Sequence, residues 1–385
     1  MAMNMSPREM LAKLVSFPTV SRESNLPLID FAEEYLASHG VSSRRVYDET
    51  GTKANLYALV GPETEGGVVL SGHTDVVPVD GQDWTSDPFT VVERDGKLFG
   101  RGTCDMKGFD ALALALVPDM LKAGLKRPIQ IALSYDEEVG CLGAPRMIAE
   151  MRETLPKAAA VIVGEPSLMK VVTQHKGSVG LITKVHGFEV HSSLMHTGVS
   201  AVMQGARLVN WMRERTLENQ TKADPASPFE PPFTTLHSGI IKGGTAGNIT
   251  AKYCEVMSEF RVCPPETPQG WLDAYLAFVA EVEAEMKAIR PEARIEVTKR
   301  MMNPACQREA NGAAEALARS LTGDNSENVV SYGTEAGQFQ EGGYSTCICG
   351  PGSIAQAHQP DEYITVKEYE AGEAFMRRLI DRLAS

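Results

Sequence analysis

Five short segments carry the side chains that could bind metal and move protons. They are S-G-H-T-D at 71–75, G-R-G-T-C-D-M-K-G at 100–108, Y-D-E-E at 135–138, V-G-E-P at 163–166 and A-H-Q-P-D at 357–361. Two histidines and several carboxylates form the ligand set of a hydrolytic pair of zinc-like ions. The chemistry such a set performs is metal-dependent amide hydrolysis. Four of the five segments directly follow an apolar, strand-like run.

Each segment also has a plainer reading. His73 and Asp75 are two apart, so in extended backbone their side chains point the same way. A metal-bound imidazole gives its other N–H to a carboxylate or carbonyl, which suits this pair; a surface turn is the alternative. Asp105 sits among Gly100, Gly102 and Gly108, where backbone can approach closely. One carboxylate can bridge two ions about 3.5–4 Å apart. The alternative is a simple turn, and the lack of a following Gly-Lys-Ser/Thr excludes a Walker loop. Adjacent Glu137 and Glu138 cannot share one direction, so one suits a metal and the other a proton. They could equally be acids in the first turn of a helix. Glu165 and His358 are weak signals alone, and the argument rests on the set.

The elements that must position these residues alternate strand and helix in the first half, which predicts a largely parallel sheet. Helices are expected near 6–16, opened by the Ser6–Glu9 capping box, and near 26–39, closed by Gly40. Apolar runs at 67–70, 128–135, 158–163 and 344–349 end at or near the motifs, and open α/β sheets gather ligands beyond strand carboxyl ends. Pro118 should kink or divide the helical run 109–122. From about 176 the texture changes. A strand at 178–185 precedes a helix at 199–215 with Val202, Ala206 and Val209 on one face, then a polar loop at 217–232 with four prolines. Strands near 234–242 and 252–262, a helix at 268–289 and a strand at 294–299 complete a β-α-β-β-α-β order, the ferredoxin-like unit. The expected organisation is a catalytic domain over 1–175 and 301–385, interrupted by an α+β lid over 176–300.

Composition narrows the class. In 385 residues, 37 Lys plus Arg face 50 Asp plus Glu, a net charge of −13 that argues against a nucleic-acid surface. No stretch of about 18 apolar residues could span a membrane, and the first 20 residues lack a secretory pattern. Seven cysteines without zinc-finger spacing are expected to be reduced thiols in a cytoplasm, with Cys347 and Cys349 buried in a strand.

The motifs S-G-H-T-D-V-V-P-V, G-R-G-T-C-D-M-K-G, D-E-E-V-G, V-G-E-P and G-P-G-S-I-A-Q-A-H-Q-P-D-E-Y resemble those of the co-catalytic zinc aminoacylase/carboxypeptidase family, over essentially the whole chain. That resemblance implies two divalent metal ions, zinc before cobalt or manganese. His73 and Glu165 would complete one site, Glu138 and His358 the other, and Asp105 would bridge both. Glu137 would be the general base and Asp75 the partner of His73, with a cis Asp105-Met106 bond. The implied mechanism is attack of a metal-bridging hydroxide on an amide carbonyl. In H-G-F-E-V-H-S-S, His191 would reach a neighbouring subunit's site in a lid-mediated homodimer, although Val190 stands where the family usually has glycine. Asn248 and Arg261 fit substrate-binding positions. Arg261 could hold a substrate α-carboxylate in a bidentate fork, its alternative being a strand-end surface charge.

Within the family, the tail and Gly333-Thr334-Glu335-Ala336 most resemble members that deacetylate N²-acetyl-L-ornithine, with Glu335 either near the substrate's ammonium or a solvated or structural glutamate. A succinyl-diaminopimelate desuccinylase, a broad aminoacylase or a dipeptidase are the alternatives. A non-catalytic metal-binding homologue is the remote one, and Glu137 beside five ligand candidates argues against it.

Overall fold

The computed structural model describes residues 2–385, which divide into two compact units. The first comprises the chain up to Gln174, Arg308–Asn328 and Thr334–Ser385; the second is His175–Gln307 with Val329–Gly333.

An eight-stranded sheet organises the first unit. Its spatial order is Ser43–Tyr47, Ala54–Val60, Ile129–Ser134, Val68–His73, Ala160–Pro166, Thr346–Gly350, Val172–His175 and Asn328–Val330. The four middle strands from Ile129–Ser134 to Thr346–Gly350 run parallel, so their carboxyl ends share one edge. Every residue of those four is buried, as strands covered on both faces require. Cys347 and Cys349 lie in this core, and all seven cysteines are buried.

Helix Lys107–Ala115 is buried along its whole length and presses onto the sheet at two glycines. A Cβ on Gly72 would lie 2.0 Å from Asp110 Oδ1, and one on Gly164 would lie 2.1 Å from the Phe109 ring. These glycines immediately precede His73 and Glu165, so close helix packing sets the depth of both side chains. Pro118 does not kink a continuous helix. The first helix stops at Ala115 and a second, Val117–Lys122, starts with proline where no N–H is needed. The Ser6–Glu9 capping box forms as expected, and Thr365–Glu368 forms another on the terminal helix Val366–Ala384.

The second unit is a four-stranded antiparallel sheet in the order Thr235–Gly243, Tyr253–Val262, Gly177–His186 and Arg294–Asn303. Helices Ala201–Thr221 and Pro268–Ile289 pack on it, which is the ferredoxin-like arrangement. Strand Tyr253–Val262 buries every second residue, with Cys254, Val256, Phe260 and Val262 inward. The helix after Ser200 departs from expectation twice. It buries Ala201, Gly205, Leu208 and Met212, not the face of Val202, Ala206 and Val209, because Gly205 packs directly on Cys254. It also runs on to Thr221, since Thr216 and Asn219 donate to the carbonyls of Leu236 and Thr234. Among the described residues, no helix is long and apolar enough to cross a membrane.

Candidate active site

The parallel strand ends bring the motif residues together. Val68–His73 is in register with its neighbours, Ser71 opposite Val163 and His73 opposite Ser134. Two residues beyond the Ser71–Val163 pair, His73 and Glu165 therefore come side by side, His73 Nε2 lying 3.8 Å from Glu165 Oε1. Asp105 enters from the glycine loop, whose Asp105-Met106 bond is cis. Its Oδ1 is 3.2 Å from His73 Nε2, and its Oδ2 is 3.2 Å from His358 Nε2. His358 Nε2 is also 3.0 Å from Glu138 Oε2. One carboxylate thus faces a histidine with each oxygen, the disposition a bridging ligand needs.

Glu137 and Glu138 occupy a turn, and the following helix begins only at Ala144, so they are not first-turn helix acids. Asp75 organises that turn. Its Oδ1 accepts from Glu137 N at 3.1 Å, its Oδ2 from Glu138 N at 3.2 Å, and Ser21 Oγ donates to it at 2.7 Å. The imidazole of His73 has Nδ1 2.9 Å from the Asp75 carbonyl oxygen and 3.6 Å from its carboxylate. Asp75 therefore orients His73 chiefly through its backbone and the Glu137-Glu138 turn through its side chain.

The electrostatics follow from burial. His73 is 1% exposed and Asp105 and Glu165 are buried, while the His358 side chain is 52% exposed. Burial pushes Glu137 up to about 8, with Glu138 and Glu335 adding repulsion and His73 opposing it. Glu138 rises to about 7 for the same first reason, next to Asp105. Glu165 is also driven well up by burial and by Asp105. Burial opposes charge on His73, yet Asp105 and Asp75 hold its pKa well above the usual value. Hydrogen bonds to Asp105 and Glu138 raise His358 to about 10.

Such crowding of carboxylates suits divalent cations, which neutralise it and favour the ionised forms. Glu138 Oε1 supports this fit, being buried with no hydrogen-bond partner among the described residues. Two ligand groups have donor atoms mutually within 4.8 Å: His73, Glu137 and Glu165, and His73, Asp105 and Glu138.

Of two further neighbours, Cys141 had no signal in the sequence and Glu335 was a candidate. The Cys141 thiol donates to Glu137 Oε1 at 3.1 Å, after a turn in which Cys141 adopts φ 56°. Glu335 is 1% exposed, with Ser71 Oγ donating at 3.3 Å and Ser134 Oγ also donating to it. Two strand hydroxyls hold the Glu335 carboxyl, as the structural alternative to facing a substrate ammonium has it, and burial raises it to about 7.

The remaining candidates lie in the second unit. His191 opens a short 3-10 turn, and its Nδ1 is 2.8 Å from Ser193 Oγ. Asn248 meets that segment, its carbonyl accepting from Ser192 N at 2.8 Å. Val190 exchanges hydrogen bonds with Thr250 and has no left-handed φ, so the usual glycine is not required there. Arg261 is half-exposed on its strand and ion-paired with Glu259.

The sequence model of peptidase family M20/M25/M40 matches residues 69–382. The chain belongs to that family. This M20-family metallohydrolase is 35% identical over 381 residues to the acetylornithine deacetylase of Myxococcus xanthus, covering 97% of this chain and 96% of that one. It is 34% identical to the acetylornithine deacetylase of Proteus mirabilis, covering 97% and 95%. Its fold matches an M20 metallo-carboxypeptidase from Sulfolobus solfataricus with a TM-score of 0.77, at 17% identity and 99% coverage of both chains. A dinuclear metal binding peptidase of the M20 family from Bacillus subtilis aligns with a TM-score of 0.63, at 12% identity, over 98% of this chain and 97% of that one.

Proposed function

We propose that this M20 hydrolase converts N²-acetyl-L-ornithine and water to L-ornithine and acetate, a step in arginine biosynthesis. The observation that carries the reaction is Asp105, with one carboxylate oxygen at each histidine, and Glu137 grouped with His73 and Glu165. The substrate rests on the full-length relatives named acetylornithine deacetylase.

In this reading His73 and Glu165 would hold one ion and Glu138 and His358 the other, with Asp105 available to both. Bound there, two divalent cations supply Lewis acidity to the amide oxygen and acidity to a water. Zinc is the ion we assign, with cobalt and manganese as alternatives for mixed imidazole and carboxylate ligands. Glu137 accepts a proton from the attacking water and passes it to the leaving nitrogen as the C–N bond breaks. Asp75 and the Cys141 thiol hold the Glu137 backbone and side chain for that transfer. Arg261 receives the substrate carboxylate, and Asn248 lines the same substrate segment.

A homodimer formed through the second unit is part of the proposal. Its edge strand Thr235–Gly243 leaves Ile240 and Ile241 41% and 48% exposed, a surface suited to strand pairing. In such a dimer His191 polarises the scissile carbonyl in the neighbouring subunit's site. Seven reduced, buried thiols fit a cytoplasmic enzyme.

The substrate assignment is tested by comparing kcat/KM for N²-acetyl-L-ornithine, N-succinyl-diaminopimelate and N-acetylmethionine. N²-acetyl-L-ornithine should be fastest. Faster hydrolysis of either other amide moves the assignment to a desuccinylase or a broad aminoacylase.

A further inference from the structure

Beneath the glycine loop lies a buried ion pair that the proposed chemistry does not use. Arg101 and Glu362 are each 1% exposed, with Arg101 Nη1 2.7 Å from Glu362 Oε2. The other oxygen, Glu362 Oε1, accepts three backbone N–H groups, from Gly102 at 3.1 Å and from Cys104 and Asp105 at 3.0 Å. The Glu362 carbonyl also accepts from Gly100 N at 2.9 Å. Strand Tyr363–Thr365, paired with Lys97–Phe99, fixes Glu362 opposite the start of that loop. One carboxylate therefore shapes the whole turn that presents Asp105.

The guanidinium extends the network toward His358. Arg101 Nη2 donates to Gln82 Oε1 at 2.5 Å, and Gln82 Nε2 donates to the His358 carbonyl at 2.9 Å. Arg101 Nη1 also reaches the Gln359 carbonyl at 3.4 Å. Trp84 completes the cradle, donating Nε1 to Gln82 Oε1 at 3.1 Å and lying under the guanidinium, 5.1 Å from ring centroid to Arg101 Cζ. His358 needs such support, because it adopts φ 63° in a half-exposed turn.

We propose that Arg101, Glu362 and Gln82 are positioning residues that couple the shared carboxylate Asp105 to the histidine of a single ion site. This rests on the two-ion reading above. The two arms of the network have different consequences. Glu362 holds Asp105, which serves both ions, so its loss disturbs both. Gln82 holds the His358 backbone directly and reaches the Asp105 turn through Arg101 and Glu362, so its loss disturbs chiefly the ion of His358 and Glu138 and that of His73 and Glu165 far less. Loss of a group that holds a metal ligand in place weakens metal binding by roughly 10–100-fold.

The test is zinc binding to the full-length chain by isothermal titration, alongside zinc content after dialysis, for wild type, Gln82→Ala and Glu362→Gln. Gln82→Ala should lose at least about tenfold in affinity for one zinc and keep the other within about twofold. Its lost turnover at stoichiometric zinc should return with excess zinc, a rescue that a merely structural defect would not show. Glu362→Gln should weaken both ions. If Glu362→Gln does not fold, the half-exposed Gln82 variant carries the test alone. Wild type that binds fewer than two zinc ions overturns the underlying two-ion reading. Wild type that binds two, with Gln82→Ala retaining both affinities within about twofold, overturns the positioning role alone.

Discussion

The two units hold their candidate residues in opposite ways. In the first, His73, Asp105 and Glu165 are buried at the ends of parallel strands or under a helix, with His73 and Asp105 each held by several partners. In the second, His191 opens an exposed 3-10 turn and Arg261 is half-exposed with an ion pair to Glu259. Such a surface pair contributes only ~0–1 kcal/mol, so a ligand carboxylate can displace it at little cost. The contrast separates two tasks. In the proposed reading, fixed carboxylates would meet cations whose geometry tolerates little error, whereas exposed side chains would adjust to a substrate that arrives and leaves.

That contrast predicts different signatures when each region is altered. In the first unit, Glu137→Gln should leave zinc content unchanged and lower kcat by roughly 10²–10⁴-fold, the range for removal of a general acid–base group. Steady-state rates with metal analysis check this, and comparable turnover with full metal would sink the role of Glu137. In the second unit, Arg261→Ala should act mainly on KM. A lost charged hydrogen bond of ~1.5–3 kcal/mol corresponds to an increase of roughly 10–150-fold for a substrate with a free α-carboxylate. The matching primary amide, without that carboxylate, should be nearly indifferent to the change. Equal losses for both substrates would return Arg261 to a structural role.

The smallest expected effect concerns the support beneath the first site. Glu335 is raised in the folded chain to about 7 from an ordinary 4.5, mainly by burial. Below the lower value both states are protonated and Glu335 has no effect on stability. As pH rises from 4.5 to 7, the unfolded chain releases its proton first, so the folded state loses stability. In metal-stripped protein, denaturant unfolding of Glu335→Gln should therefore gain relative to wild type by roughly 2–3 kcal/mol between pH 5 and pH 8. A difference that stays flat across that range contradicts a buried, mostly neutral Glu335.

Much of this was legible from residue types and spacing. Apolar runs ending in His73, the Glu137-Glu138 pair and Glu165 located one edge of a parallel sheet, because such strands carry ligands beyond their carboxyl ends. The β-α-β-β-α-β order of the second unit was equally readable. The supports were not. Glu362 and Asp105 are 257 positions apart, as are Glu335 and Ser71 across 264, and no local periodicity encodes a hydrogen bond over such a span. The inward face of helix Ala201–Thr221 was misjudged for a related reason. Gly205 carries no apolar side chain, yet its closeness to Cys254 decides which face turns inward.

The central claim is that the buried carboxylates and two histidines of the first unit form a two-ion hydrolytic centre. Its most direct test is titration of metal-stripped protein with zinc while N²-acetyl-L-ornithine hydrolysis is followed. The account predicts negligible turnover without metal and a rate that saturates at two zinc ions per chain. Full turnover in verified metal-free protein, or saturation with no zinc bound by His73 and Asp105 variants and no loss of rate, would contradict it.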